Sequence, residues 1–166
     1  MYPASESVEL KRENMADKDF LIRDVLFFIK DDLDGQITDP ISSTRSTNSN
    51  FIVTSYPTRA VEYPIITIKV INIEAVRAGM QTSTQDITLD IEIRVWGRNQ
   101  REKDEISTDV ISRLADIQFT DSTGSIANNL HDLLIGSATE IDEPGEAGAQ
   151  VIKSRIISVT YKFYDA

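Results

Sequence analysis

The chain contains no cysteine, which removes disulfides, thiolate nucleophiles and cysteine-ligated zinc or iron–sulfur sites. An intracellular origin fits that absence. Histidine occurs once, at His131, so neither a His-rich metal site nor a zinc-binding pair at helical spacing can be built. A Ser-His-acid set would have to use His131, and the Gly-x-Ser-x-Gly elbow that presents such a nucleophile is missing. His131 therefore reads as a partly exposed structural residue. There is no Walker-type glycine loop and no dinucleotide fingerprint. No run of 18 uncharged apolar residues occurs, which excludes a membrane-spanning helix. Residues 1–16 lack an apolar segment of signal-peptide length. Basic residues are also scarce, 17 against 27 acids for a formal net charge of −10, and such a surface repels a phosphate backbone. The charge serves solubility, or it forms an acidic wall past which DNA slides without sticking.

What remains is ordinary for a folded protein. The 166 residues fit one domain, with 40% hydrophobic and 27% charged residues. Residues 1–16 read as a flexible N-terminal arm and 17–166 as a single α+β domain. The first helix is predicted from Asp17 to Leu33, with Leu21, Ile22, Val25, Leu26, Phe28, Ile29 and Leu33 as its apolar stripe. Asp17 and Asp19 suit its N-terminus, and Gly35 is placed to end it. Phe20 and Phe27, seven residues apart, share another line with Asp24 and Asp31. Either a flap of the same chain covers them or they dock a neighbouring subunit.

Residues 39–50 are rich in Ser, Thr and Asn and read as a loop. Phe51 to Tyr56 is a short strand, and Ile65 to Asn72 a stronger one following Pro57 and Pro64. A turn at Ala78–Ser83 precedes the clearest strand, in which Ile87, Leu89, Ile91, Ile93 and Val95 alternate with Thr88, Asp90, Glu92, Arg94 and Trp96. That pattern belongs to an antiparallel strand with one wet face. Asn99 and Glu102 have capping-box spacing for a second helix, Gln100 to Asp116, with Ile106, Val110, Ile111, Leu114 and Ile117 inward. Lys103, Glu105, Asp109 and Arg113 are expected on its solvated face. Asp121 to Ser125 is a turn, and Ala127 to Ile135 is a short helix or a strand. Glu140, Asp142, Glu143 and Glu146 fall in a Pro/Gly-containing loop without a base, suited at best to weak cation binding. A final strand spans about Val151 to Tyr164, with Ile157, Val159, Tyr161 and Phe163 on one face. The fold class expected is α+β, a mainly antiparallel sheet with both helices packed on one face.

Chemistry-bearing constellations do not emerge. Asp32-Leu33-Asp34-Gly35 suggests a calcium loop, but with Gly35 at the sixth position Lys30 and Ile41 fall where oxygen donors belong. Arg94, Arg98, Arg101 and Lys103 sit among Glu102, Asp104 and Glu105, so no uncompensated basic patch forms. No catalytic set, cofactor or metal is expected.

The stretch Tyr56-Pro57-Thr58-Arg59-Ala60-Val61-Glu62-Tyr63-Pro64 leads directly into the strand Ile65-Ile66-Thr67-Ile68-Lys69-Val70. Later Ile91-Glu92-Ile93-Arg94-Val95-Trp96-Gly97-Arg98 runs into a charged helix, and the last strand ends Ile157-Ser158-Val159-Thr160-Tyr161-Lys162-Phe163. Over roughly residues 17–164 this layout resembles the tail terminator, or tail completion, proteins of long-tailed bacteriophages and related archaeal tailed viruses. The resemblance implies a structural virion protein, assembled in the host cytoplasm, whose subunits close into a hexameric ring on the tail tube. The ring would stop tube growth and meet the connector or stopper protein of the head, with DNA passing through its lumen unbound and no membrane involved. The arm and the 39–50 loop depart from a minimal member of that family. Phe20 and Phe27, together with Tyr56, Pro57, Arg59, Tyr63 and Pro64, are the residues assigned to subunit contacts; for the proline-bounded segment an ordinary strand connection is the alternative. Other readings are a head-completion stopper or adaptor, a stand-alone protein-binding domain, and a small hydrolase with acids in an unseen pocket.

Overall fold

The computed structural model describes residues 21–47, 49–56, 61–77, 79–80, 84–120, 130–142 and 153–165. Helix α1 spans Leu21–Gln36 and helix α2 spans Gln100–Thr120. The strands are β1 (Ile52–Val53), β2 (Ile65–Arg77), β3 (Gln85–Gly97), β4 (Leu130–Asp142) and β5 (Lys153–Asp165). They form one sheet in the order β1-β2-β3-β5-β4, antiparallel except for the short β1–β2 pair. The protein is α+β.

Both helices contribute to a single core on one side of the sheet. From α1 come Leu21, Val25, Ile29 and Leu33, spaced by four, continued past the helix by Ile37. This stripe is narrower than predicted: Leu26 and Phe28 are only partly buried, and Ile22 is exposed. Gly35 does not end the helix, which continues to Gln36, while the Ile37 N–H donates to the Leu33 carbonyl at 2.8 Å. Gly35 has open space around it, so its position is exposed helix, a cost of about 1 kcal/mol relative to Ala that the buried stripe outweighs. From α2 come Ile106, Val110, Leu114 and Ile117. Its start follows the predicted cap, with the Glu102 N–H donating to Asn99 Oδ1 at 2.9 Å.

In β3 the five predicted inward residues, Ile87 to Val95, are all buried, and Ile157, Val159, Tyr161 and Phe163 of β5 join them. Other boundaries shift. The predicted Phe51–Tyr56 strand shrinks to two residues paired parallel with Ile66 and Thr67. β2 runs five residues beyond Asn72 because β3 offers it a ladder as far as Gln85. The ambiguous segment is strand from Leu130 onward, and β4 carries Glu140 and Asp142 through its regular ladder with β5, so both lie on a strand, not in a loop. Glu143 and Glu146 lie outside the described residues, as do Asp17 and Asp19, the turn at 121–125 and most of 78–83. No helix among the described residues is long and apolar enough to cross a membrane.

Candidate interaction surfaces

The loop after α1 is organised by one side chain. Asp39 accepts the Ile41 N–H at 3.0 Å in an Asx-type turn, and Arg45 folds back onto its carboxylate, Nε to Oδ2 at 2.5 Å and Nη2 to Oδ1 at 3.0 Å. The same guanidinium donates to the Glu62 carbonyl at 2.8 Å and the Pro64 carbonyl at 2.7 Å, and lies 5.5 Å from the Phe51 ring centroid. The Ser46 N–H donates to Glu62 Oε2 at 2.9 Å. Burial raises the Asp39 pKa, but the Arg45 and Ile41 hydrogen bonds and the Arg45 charge outweigh it and hold the carboxyl below its usual value. Arg45 thus ties the 39–50 segment to the start of β2. The Ser/Thr/Asn composition concealed it, since a single Arg in a polar loop carries no periodic signal.

Above this clamp lies the segment the sequence singled out. Pro64, in a cis peptide with Tyr63, is buried, so it supports the segment from within. Tyr63 is half-buried, with its hydroxyl 2.5 Å from that of the exposed Tyr56. The Tyr56 ring in turn lies 5.1 Å from Trp96 at a 55° tilt. Pro57 and Arg59 fall outside the described residues, and so does Phe20. Phe27 is exposed on α1. The structure brings Tyr56 and Tyr63 together; Phe27 belongs to a different element.

Trp96 was expected on a wet face, yet it is buried. Arg94 lies over its ring at 4.0 Å, and its Nε1 donates to Thr67 Oγ1 at 3.4 Å. Beside it a cleft of about 340 Å³ is lined by Tyr56, Thr67, Lys69, Glu92, Arg94 and Trp96. This end of the helix-free face is well satisfied: Arg94 donates to Ser154 Oγ at 3.0 Å, and Lys69 and Glu92 form a 2.9 Å ion pair. Farther along, Asp90 accepts from Asn72 at 3.1 Å and Thr160 at 3.3 Å. Such cross-strand pairs stiffen a sheet. With the Trp96 ring already engaged by Arg94 and Tyr56, the cleft offers no free aromatic platform.

On the helix side, Lys103 overturns its assignment to the solvated face of α2. Its side chain is fully buried, with Nζ 2.6 Å from Glu140 Oε1 on β4 and 3.4 Å from Asp104 Oδ1. These are ion pairs whose angles fall short of hydrogen bonds. Arg155 of β5 completes the cluster, 3.0 Å from Asp104 and 3.3 Å from Glu140. The Lys103 ammonium first, then Gln100, holds the Glu140 carboxyl at a pKa of about 2, against burial that would raise it. Helical arithmetic contained the signal, because Lys103 stands seven residues before Val110 and so on the apolar line. Gly97 makes room for it: a Cβ there would come within 2.8 Å of Lys103 Cβ and 2.9 Å of its backbone N. Arg113, also expected on the solvated face, instead pairs with Asp32 and joins the two helices. Glu105 does face outward, paired with Arg101 at 2.8 Å.

Among the described residues no group of His, Asp and Glu is placed to hold a metal ion. His131 lies in β4 opposite Lys162. No family model matches the chain, and no curated protein matches it as a relative.

Proposed function

We propose that this chain is a structural virion protein, the tail terminator of a long-tailed virus, whose copies close into a ring on the tail tube and present a surface to the neck. The observation that carries its contact-making part is the set of exposed apolar side chains along the outer part of the β2–β3 hairpin. Ile71, Ile73 and Val76 of β2, and Met80 beyond it, all face solvent on a chain of net charge −10. Apolar side chains concentrated on one projection mark a surface meant to be covered. The assignment to the tail rests on the helix–strands–helix–strands layout and on the quoted segments leading into β2 and α2. An acidic lumen would let DNA pass without the counterion release that makes DNA stick.

Electron microscopy of virus particles produced without this protein tests the assignment. Tails of abnormal length that fail to join heads are the expected result. Filled heads that leak DNA would point to a head-completion stopper instead, and normal particles would remove the virion role. A Phe27→Asp variant separates the helix surface from the hairpin: loss of assembly would add α1 to the contact, and normal assembly would remove it.

A further inference from the structure

Among the described residues, most of β2 on one edge of the sheet and β4 on the other meet no further strand. β1 pairs only with Ile66 and Thr67, so from Lys69 to Arg77 the outer side of β2 meets no strand among the described residues. β4 forms the opposite edge. Sheet edges are usually blunted by brevity, proline, bulges or inward charges. β2 is 13 residues long and lacks proline. Its single bulge, at Ile71, leaves residues 72–77 in unbroken register with β3. β4 has two irregularities near its start and then runs regularly from Ser137 to Asp142. Of the eight exposed large apolar side chains among the described residues, four lie on these two strands: Ile71 (55%), Ile73 (38%), Val76 (58%) and Leu134 (50%).

Direction and charge select the occupant. Three successive antiparallel pairings, β2–β3, β3–β5 and β5–β4, leave β2 and β4 pointing in opposite directions. A second copy added sideways in the same orientation therefore brings its β4 antiparallel to β2, which is the favourable hairpin-type ladder. From Lys69 to Arg77, β2 carries two cations and one acid, Glu74; β4 carries Asp132, Glu140 and Asp142 with no Lys or Arg. Lys69 is already paired with Glu92, so β2 brings Glu74 and Arg77 to a new neighbour; β4 against β4 sets acid against acid, whereas β2 against β4 gives Arg77 an acidic strand to face. Lys162 already accompanies Asp132, and Lys103 and Arg155 accompany Glu140. Charge thus disfavours two β4 edges meeting, while strand direction favours β4 against β2 and backbone hydrogen bonds and the apolar side chains supply the strength.

The geometry points to a second copy of this chain as the partner of the β2 edge, bound through its β4, so that the sheet continues from subunit to subunit. Such a contact is heterologous, and it makes a ring when the rotation closes. This rests on the ring reading and names the surface that would build it.

The absence of cysteine makes the test clean. Asn72→Cys, Glu74→Cys and Val76→Cys on β2, and Ser137→Cys and Thr139→Cys on β4, all lie on the helix-free face by their ladder partners. Antiparallel neighbours have Cα separations of about 4.5–5.5 Å, within disulfide range. Under oxidation, mixing a β2 variant with a β4 variant should yield a covalent heterodimer, with one combination dominating and marking the register. A chain carrying both changes should give a ladder ending in a closed species, and each single variant alone should stay uncrosslinked. Self-linking of the β2 variants would overturn the proposal in favour of two-fold pairing. Oligomers seen by light scattering that crosslink in no combination would overturn the edge contact and leave the ring reading standing; monomers throughout would remove both. Val76→Glu, at an exposed site, removes apolar surface and sets an acid against the acidic β4, so it should keep native Trp96 fluorescence and raise the concentration for half-association about tenfold or more. Unchanged association would also overturn the proposal.

Discussion

Replacing Arg45 by Ala should destabilise the protein far more than a surface loop substitution does. The Arg45 and Asp39 side chains are only 6% and 13% exposed. Removing one partner of a buried ion pair costs about 3–5 kcal/mol, because the other charge stays desolvated. Asp39 keeps its Ile41 hydrogen bond and some solvent, which favours the lower end. The freed Glu62 and Pro64 carbonyls add about 1 kcal/mol each where water cannot reach them. A loss of about 3 kcal/mol, with a urea slope of about 2 kcal/mol per molar for a domain of this size, moves the midpoint down by about 1.5 M. The single tryptophan, Trp96, lies against Tyr56 at the end of the clamped segment and supplies the fluorescence signal. Arg45→Lys should recover less than half of the loss, since one ammonium cannot span a carboxylate and two carbonyls. The pH dependence has a definite sign. In the wild type the Asp39 pKa is depressed, so its contribution is present above about pH 4 and fades as pH falls through the folded value. Without Arg45, burial dominates and favours the neutral acid, so the gap between variant and wild type should narrow on acidification. A midpoint shift below about 0.5 M, or a gap that widens at low pH, would refute the clamp.

Lys103→Met, which keeps most of the buried volume, should let the Glu140 carboxyl titrate well above its wild-type value of about 2, as followed by NMR. Because that pKa is depressed in the folded state, the wild type should lose this contribution as pH falls from the ordinary carboxylate range toward 2, and the variant should not. Gly97→Ala should lower stability by about 1–3 kcal/mol in thermal unfolding, since its Cβ would meet the Lys103 backbone. Asn99→Ala should cost about 1 kcal/mol by leaving the Glu102 N–H without its cap, and Asn99→Asp should restore most of it.

The parts of the fold legible in the sequence were those with a strong period. β3 alternates over nine residues, and its inward set was identified residue by residue; α2 and its cap followed from spacing three and four. α1 was placed, but its stripe was drawn too wide because periodicity marks a face and not how much of it a neighbour covers. Ile22 shows the difference. Boundaries failed where tertiary partners decide them: β2 is long because β3 pairs with it, and β4 is a strand because β5 is. Lys103 and Glu140 were misplaced for a related reason. Residue type outweighed position in the reading of Lys103, and the base that satisfies Glu140 is distant in sequence. Arg45 carried no sequence signal since its four hydrogen-bond partners, Asp39, Ser49, Glu62 and Pro64, are scattered between residues 39 and 64. Of the residues assigned to subunit contacts from the sequence, Tyr56 and Tyr63 lie together and Phe27 lies on a separate element.

Rotational averaging of purified protein in electron micrographs, across a concentration series, reaches the main claim most directly. Closed rings with a central opening, made from 18.6 kDa subunits, are the predicted image. A particle of single-subunit mass at every concentration, with or without tail tubes, would contradict it.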